Sequence, residues 1–590
     1  MPNSFLPLAA FSFVLIPALV GCASGPPARP AQLVPGDQSH LASYLDWAVP
    51  IEMDRAGVPG VALAVISREG PVWLKGYGMT GAGGTPVGPG TPFRVGSVSK
   101  PVTAALVLRY VAEGRLALDR PVAETLPVFT PRSRFGDLPI TPRMLLAHRS
   151  GLPSDELRGM WTNQPADAAM SATLAGRSWL AAEPGTAYKY SNLGYGVLGR
   201  LAELASGLPF AEAAGRDLLR PLGMVSSSYA TPPGDIAPAR PHRNGKPAPE
   251  TGLREVAAGS LWSTADDMGR FLQALLSDGQ VGGVRLPLAD MLREQYPEAG
   301  ERLGQRVGLG WMLAGNAVAG VGETVWHNGA YPGYFAHVAM LPAEGLGVVV
   351  LANGEEASRF AMQLGVRTLA LAVEGRTGRR LPEPQADTPA PATVPEAELD
   401  AAVGRYVVMG QLTPIVRAGG RLKTEFQGTT IELLPLGKER FLPRASMLGL
   451  LSVPLDGLTL SLRNQRGRRL AVLEGAPEPL PFERVEPMPL PDAWRRRLGR
   501  YVLVDRDDWV SAQDVRLVDE DGVPVLRMRL ESPLWGATGD EARIAIRPLS
   551  DDSAIVSGQG NSEGGVIEAG SENGAPILTY SGFRFRWEGP

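Results

Sequence analysis

The sequence predicts an α/β domain over residues 39–380, followed by two small antiparallel β-barrel-like units over 399–488 and 489–590. Three observations carry this. From about residue 39 to 380, apolar runs of strand length alternate with stretches of helical periodicity. The stretch LPEPQADTPAPATVPEAE (381–398) then holds five prolines and no large aromatic residue, so it cannot build a core and reads as a linker. Beyond it the texture changes to short alternating segments such as LTLSLRN, RLAVLEG and ARIAIRPL. There LDAAVGRYVVM (399–409) and AWRRRLGRYVLV (493–504) repeat Gly-Arg-Tyr before an apolar strand, 95 residues apart. Each copy ends in an aromatic, charged strand, LPFERVEP or FRFRWEGP, which fits two small barrels, with one larger sandwich as the alternative. At 590 residues the chain is too long for one core.

From the N-terminus, residues 4–20 (SFLPLAAFSFVLIPALV) form an apolar stretch too interrupted for a stable membrane helix, ending in Leu19-Val20-Gly21-Cys22. That ending resembles the lipobox of bacterial lipoproteins, where cleavage leaves the cysteine to be acylated. Residues 1–21 are therefore expected to be a lipoprotein signal peptide and Cys22, the chain's one cysteine, the lipidation site, which puts the protein on the bacterial cell envelope through an N-terminal lipid anchor. An ordinary secretory signal is the alternative, and the segment before the apolar core carries no Lys or Arg. Residues 22–38, rich in Pro, Gly and Ala, read as a flexible tether. A single cysteine excludes a disulfide or a thiolate metal site within one chain.

Within 39–380, GVALAVIS (60–67) and PVWLKGYG (71–78) flank Arg68-Glu69-Gly70 and read as a β-hairpin. Ser97 to Glu113 reads as a helix with a broad apolar face, and Leu193 to Ser206 as another, closed by Gly207. GYFAHVAMLP (333–342) and GLGVVVLAN (345–353) read as a second hairpin, buried in its second arm. The net charge of −4 gives no electrostatic footprint for nucleic acid. The basic run Arg495-Arg496-Arg497 reads as a solvated face, and no apolar run past the N-terminus could span a bilayer. The five histidines are scattered without ligand spacing, so neither a metal nor a cofactor is expected.

The chemistry is carried by a lysine. The chain has 51 arginines and six lysines, and one of the six, Lys100, stands three residues after Ser97 at the mouth of a helix. Arginine would supply charge alone; lysine can also lose its proton. Residues three apart share a helix face, so Ser97 and Lys100 can touch. Serine is a poor nucleophile without a base, and lysine is a base only when burial or a helix dipole pulls its pKa down. Two further groups stand where this chemistry needs them: Tyr190-Ser191-Asn192, in the turn before a helix, and His327-Asn328-Gly329, ahead of a hairpin.

These three groups, in this order, resemble the serine β-lactamase and penicillin-binding protein superfamily. The branch is that of class C β-lactamases, D,D-peptidases, D-aminopeptidases and β-lactamase-like esterases. TPFRVGSVSK, LLAHRSGLP (145–153), PLGM (221–224) and AAGSLWSTADDMGRF (257–271) match too, and the resemblance covers about residues 40–375. It implies a β-lactamase/transpeptidase-like fold, an antiparallel sheet flanked by helices with a helical subdomain. It also implies that Ser97 is acylated, Lys100 helps deprotonate it and Tyr190 relays protons. Asn192 would bind the substrate amide carbonyl, and the N–H groups of Ser97 and Ala330 would form the oxyanion hole beside Gly329. The chain departs from most β-lactamases in carrying His327 where they have lysine; a histidine there is similar to some D,D-carboxypeptidases and D-aminopeptidases, and at neutral pH it anchors a carboxylate weakly. The expected substrate is a peptide or amide of the D-amino-acid type. Short acyl esters and β-lactams are the alternatives within enzymes, and an idle muropeptide-binding protein is the alternative outside them.

Three other motifs are set aside. Gly560-Asn561-Ser562-Glu563-Gly564 matches a nucleophile elbow without the strand and helix that one requires. Gly76 to Gly81 matches a dinucleotide fingerprint but is followed by GAGGTPVGPG rather than a helix. His148 lies outside the three groups and is expected to be structural.

Overall fold

The structure, a computed structural model, describes residues 25–590 except 165–166, 233, 278–279, 282–283, 300–304, 384–389, 409, 427–428, 448–450, 456, 466, 476–478, 535, 538–540 and 559–562. The expected signal peptide, Cys22 and most of the Gly560–Gly564 motif lie outside the described residues.

The first domain is built on a five-stranded antiparallel sheet. Its elements are α1 (Ser39–Ala56), β1 (Gly60–Ser67), β2 (Gly70–Gly78), α2 (Ser99–Ala112), α3 (Ala168–Arg177), α4 (Asn192–Ser206), α5 (Val256–Gly259), α6 (Ala265–Leu276), β3 (Val325–Tyr331), β4 (Tyr334–Leu341), β5 (Leu346–Ala352) and α7 (Ala361–Thr377). Strand order across the sheet is β3-β4-β5-β1-β2, so the two predicted hairpins meet through β1 and β5, with Val61 opposite Ala352. Both faces are covered. Gly347 lies under Leu272 of α6 while its neighbour Val348 faces Gly365 of α7, and alternate residues of a strand point to opposite faces. Every residue of β4 and β5 is buried: the second arm is buried as expected, and α7 closes over the first arm as well. The helices between β2 and β3 form the second half of the domain, and β3 is the edge strand facing them, bridged on its outer side at Trp326 to Met312.

Two local features bear on the site. The helix expected from Ser97 begins as a 3₁₀ turn, Gly96–Val98, and becomes α-helical at Ser99, because Gly96 has a φ of +52° that no regular helix accommodates. His327, Asn328 and Gly329 lie inside β3, the strand that runs ahead of the β4–β5 hairpin, as expected.

The predicted β units are two closed barrels. In the first, eight strands from Gly404–Val408 to Leu480–Val485 pair in succession, and the last returns to the first, with Arg405 opposite Val485. In the second, eight strands from Gly499–Leu503 to Phe583–Gly589 do the same, closing with Leu503 opposite Phe585. The repeated Gly-Arg-Tyr opens the closing strand of each. A short helix, Glu396–Ala402 or Asp492–Arg495, precedes it. The repeated tyrosine hydroxyl then donates back across that junction: Tyr406 to the carbonyl of Ala402 (3.1 Å) and Tyr501 to that of Arg497 (2.7 Å). One register, Gln411 opposite Ile544, joins the barrels.

The segment read as a flexible tether is in contact where it is described. Arg29 pairs with the buried carboxylate of Glu374 on α7, and the Gly36 N–H donates to the carbonyl of Gly375 at 2.8 Å. A carboxylate buried at a helix end needs a cation, and the tether supplies it.

Candidate active site

Three chain segments converge on Ser97. The 3₁₀ turn holds its hydroxyl at the foot of α2, and Lys100 sits one turn on with its side chain fully buried. The Lys100 ammonium donates to three oxygens: Ser97 Oγ at 3.1 Å, Asn192 Oδ1 at 2.7 Å and the Ala258 carbonyl of α5 at 2.8 Å. The Tyr190 hydroxyl donates to the same Ser97 Oγ at 2.7 Å. Ser97 Oγ is therefore held between a lysine and a tyrosine.

Burial draws the Lys100 pKa down to about 7, against the pull of the carboxylates of Asp155 and Glu255. Near neutral pH the amine is close to half deprotonated, which is the condition for a base. The rings of Tyr190 and Tyr195 lie 4.7 and 5.4 Å from Nζ and support the cation when it is present.

Asn192 is the first residue of α4, after an N-cap Ser191 whose hydroxyl accepts from the Gly194 N–H. Its side chain is committed within the protein: Oδ1 accepts from Lys100, and Nδ2 donates to Asp155 Oδ1 at 2.7 Å. The residue expected to meet a substrate carbonyl thus also orients the lysine. His148 fixes the same segment. Its Nδ1 accepts from the Ser191 N–H at 3.0 Å, so its proton sits on Nε2, and its ring stacks on Tyr190 at 4.3 Å between centroids. Burial pushes its pKa well below the usual histidine value, so the stacking ring is neutral.

Strand β3 brings the third group. Backbone approaches backbone here: a Cβ on Gly329 would lie 1.8 Å from the Val95 carbonyl oxygen, and one on Gly96 2.5 Å from that of Ala330. Glycine at both positions lets β3 cross the 96–98 turn, which brings the peptide of Ala330 against the turn that carries Ser97. Gly96 serves this crossing and supplies the positive φ of the turn. His327 Nδ1 lies 2.6 Å from the Asn328 carbonyl, which can only accept, so Nδ1 carries the proton. Burial pushes this imidazole well below its ordinary pKa, and Nε2 is left a bare acceptor. The third group is neutral.

Ser97, Lys100, Tyr190, Asn192, His327, Gly329 and Ala330 are thus brought to one place, while Cys22 lies outside the described residues. Sequence reasoning missed Asp155, Glu255 and the Ala258 carbonyl. Each lies in or beside a quoted stretch, Asp155 two residues after LLAHRSGLP, Ala258 inside AAGSLWSTADDMGRF and Glu255 two residues before it, but nothing in the sequence joins them to Lys100. Among the described residues no cluster of His, Cys, Asp and Glu could hold a metal ion.

The family profile described as Beta-lactamase matches residues 48–372. The chain is 28% identical to Esterase EstB of Burkholderia gladioli, over 54% of this chain and 91% of that protein. It is 25% identical to the D-alanyl-D-alanine-carboxypeptidase/endopeptidase AmpH of Escherichia coli K12, over 54% of this chain and 86% of that one. The solved structure of SurE superimposes with a TM-score of 0.54 at 23% identity, covering 76% of this chain and 99% of that one, a likeness of fold that exceeds the length of the first domain.

Proposed function

The chain belongs to the beta-lactamase family, and on that footing we propose that it hydrolyses peptide or amide substrates of the D-amino-acid type through an acyl-enzyme at Ser97. The observation that carries this reading is the placement of Ser97 Oγ at hydrogen-bonding distance from both Lys100 and Tyr190. Neutral Lys100 takes the Oγ proton as Oγ attacks the substrate carbonyl carbon. The N–H groups of Ser97 and Ala330 receive the oxyanion. Tyr190 then protonates the departing amine, the carbon–nitrogen bond breaks, and water later releases the acid from Ser97 by the reverse relay.

The neutral His327 favours a substrate without a carboxylate at the third group, since an imidazole acceptor offers no cation to meet one. This weighs against efficient β-lactam hydrolysis. It also supports a second reading, hydrolysis of short acyl esters, in line with the name of the EstB relative. Intact-mass spectrometry of the chain with benzylpenicillin, D-alanine p-nitroanilide and p-nitrophenyl butyrate separates these readings. The expected result is an acyl adduct or turnover with the anilide or ester, with the adduct mapping to the peptide that holds Ser97. Silence on all three substrates would leave the idle binding protein as the better account.

The envelope address is part of the same proposal. Cys22→Ser is expected to abolish incorporation of radiolabelled palmitate in a bacterial host, and retained labelling would refute acylation at that cysteine.

A further inference from the structure

We propose that Asp155 positions the Lys100–Asn192 pair, and that the second C-terminal barrel keeps it there by gripping the loop that carries it; this rests on Ser97 being the acylated residue. Asp155 is buried, and its Oδ1 accepts from Asn192 Nδ2. A side-chain amide has one oxygen and one NH₂ and can turn either way; a carboxylate accepting from Nδ2 leaves Oδ1 facing Lys100. Without Asp155 the amide is free to turn its NH₂ toward the lysine, which removes one of the three acceptors around Nζ. The second oxygen, Oδ2, is buried without a hydrogen-bond partner, so the carboxylate's charge is poorly screened.

Lys100 faces the carboxylates of Asp155 and Glu255, the neutral imidazoles of His148 and His327, and the rings of Tyr190 and Tyr195. Glu255 is itself paired with Arg254 at 2.6 Å, which leaves Asp155 as the carboxylate joined to the lysine through Asn192.

The loop after Asp155 is held from outside. Leu157 N–H donates to Ser581 Oγ (2.9 Å), Arg158 N–H to the Ser581 carbonyl (3.2 Å) and Gly159 N–H to Asp507 Oδ2 (2.7 Å). Ser581 and Asp507 belong to the second barrel, which therefore takes three consecutive backbone donors. Leu157 meets its apolar mouth beside Val510, Leu530, Tyr580 and Phe585. The carbonyls of Glu156 and Arg158 accept from Arg254, both at 2.7 Å. On the other side of Asp155, the Ser154 carbonyl accepts from the Asn192 N–H at 2.8 Å. The carboxylate is pinned between a barrel and the start of α4.

The test uses the full chain with ¹³Cε-labelled lysine, since six lysines allow the Lys100 signal to be resolved and titrated without substrate. Asp155→Asn keeps the shape and the acceptor but removes the charge, and is expected to lower the Lys100 midpoint by about 1 pH unit. Asp155→Glu keeps the charge and changes the reach; it is expected to hold the midpoint and to cut the acylation rate at Ser97 roughly tenfold. Ser581→Ala with Asp507→Ala, both far from the chemistry, is expected to cut that rate by a similar factor. An unmoved midpoint in Asp155→Asn overturns the role of Asp155, and an unmoved rate in the barrel variant overturns the grip. A wild-type chain with a titrating Lys100 and no acylation by any probe would instead refute the function on which the inference rests.

Discussion

Lys100→Arg is expected to reduce acylation of Ser97 by about 10²- to 10⁴-fold, the range for loss of a general base. Lys100 is buried, with a pKa near 7 set first by desolvation, so at neutral pH about half the molecules hold the amine that can accept the Ser97 proton. Arginine in the same place stays charged at every accessible pH and can only donate. The wild-type acylation rate should accordingly rise with pH through a midpoint near 7, because the lowered pKa makes the neutral base available above that value and removes it below. In Lys100→Arg the residual rate should lose this limb. Pre-steady-state acylation by p-nitrophenyl butyrate from pH 5 to 9 reads both. Because a guanidinium is larger than an ammonium and the site is closed, a thermal melt beside the kinetics separates lost chemistry from lost fold. Lys100→Met, which fills the space without any charge, should fail in the same way. An arginine variant that acylates at the wild-type rate would remove lysine from the mechanism.

Much of this was legible in the sequence because the chemistry restricts the residues. A serine activated by lysine needs both on one turn, so Ser97 and Lys100 announce themselves by spacing, and Tyr190 and His327 follow from the family pattern they complete. The barrels were legible for a different reason. A closed barrel must begin and end in strands that pair, and the repeated Gly-Arg-Tyr marks the closing strand in each. The part Gly96 plays was not legible, since a positive φ cannot be inferred from the residue alone. Asp155 stayed hidden because its partner Asn192 is 37 residues away and nothing local requires a carboxylate there. The contact of the second barrel with residues 157–159 was equally hidden. It is made by backbone donors with Ser581 and Asp507, residue types common in turns throughout the chain. The tether was misjudged over its described part because composition reports what a segment cannot bury, not which buried charge it meets, as Arg29 meets Glu374.

Gly329→Ala is expected to be the most disruptive single methyl in the first domain's site, lowering acylation by about 10²- to 10³-fold, the cost of losing one oxyanion donor. The added Cβ would lie 1.8 Å from the Val95 oxygen and 2.9 Å from the Val98 nitrogen, both backbone atoms that cannot rotate aside. Val95 cannot retreat, since its side chain is fully buried and its N–H is bonded to the Leu261 carbonyl at 3.0 Å. The strand must yield instead. β3 is the edge strand of the sheet, paired along its length with β4 and held on its outer side at Trp326 by Met312, so around Gly329 it can swing off the 96–98 turn, and Ala330, the next residue, moves with it. The N–H of Ala330 then no longer points where the oxyanion forms, while Ser97, Lys100 and Tyr190 keep their mutual contacts. Substrate binding should therefore change less than the acylation rate, and KM should move little beside kcat. A fall in thermal stability of roughly 1–3 kcal/mol should accompany it, as for other overpacked sites. Gly88→Ala serves as the control, because a Cβ there meets nothing within 4 Å. A Gly329→Ala enzyme that acylates as fast as the Gly88→Ala enzyme would mean that the close crossing of β3 over the turn does not set the oxyanion donors.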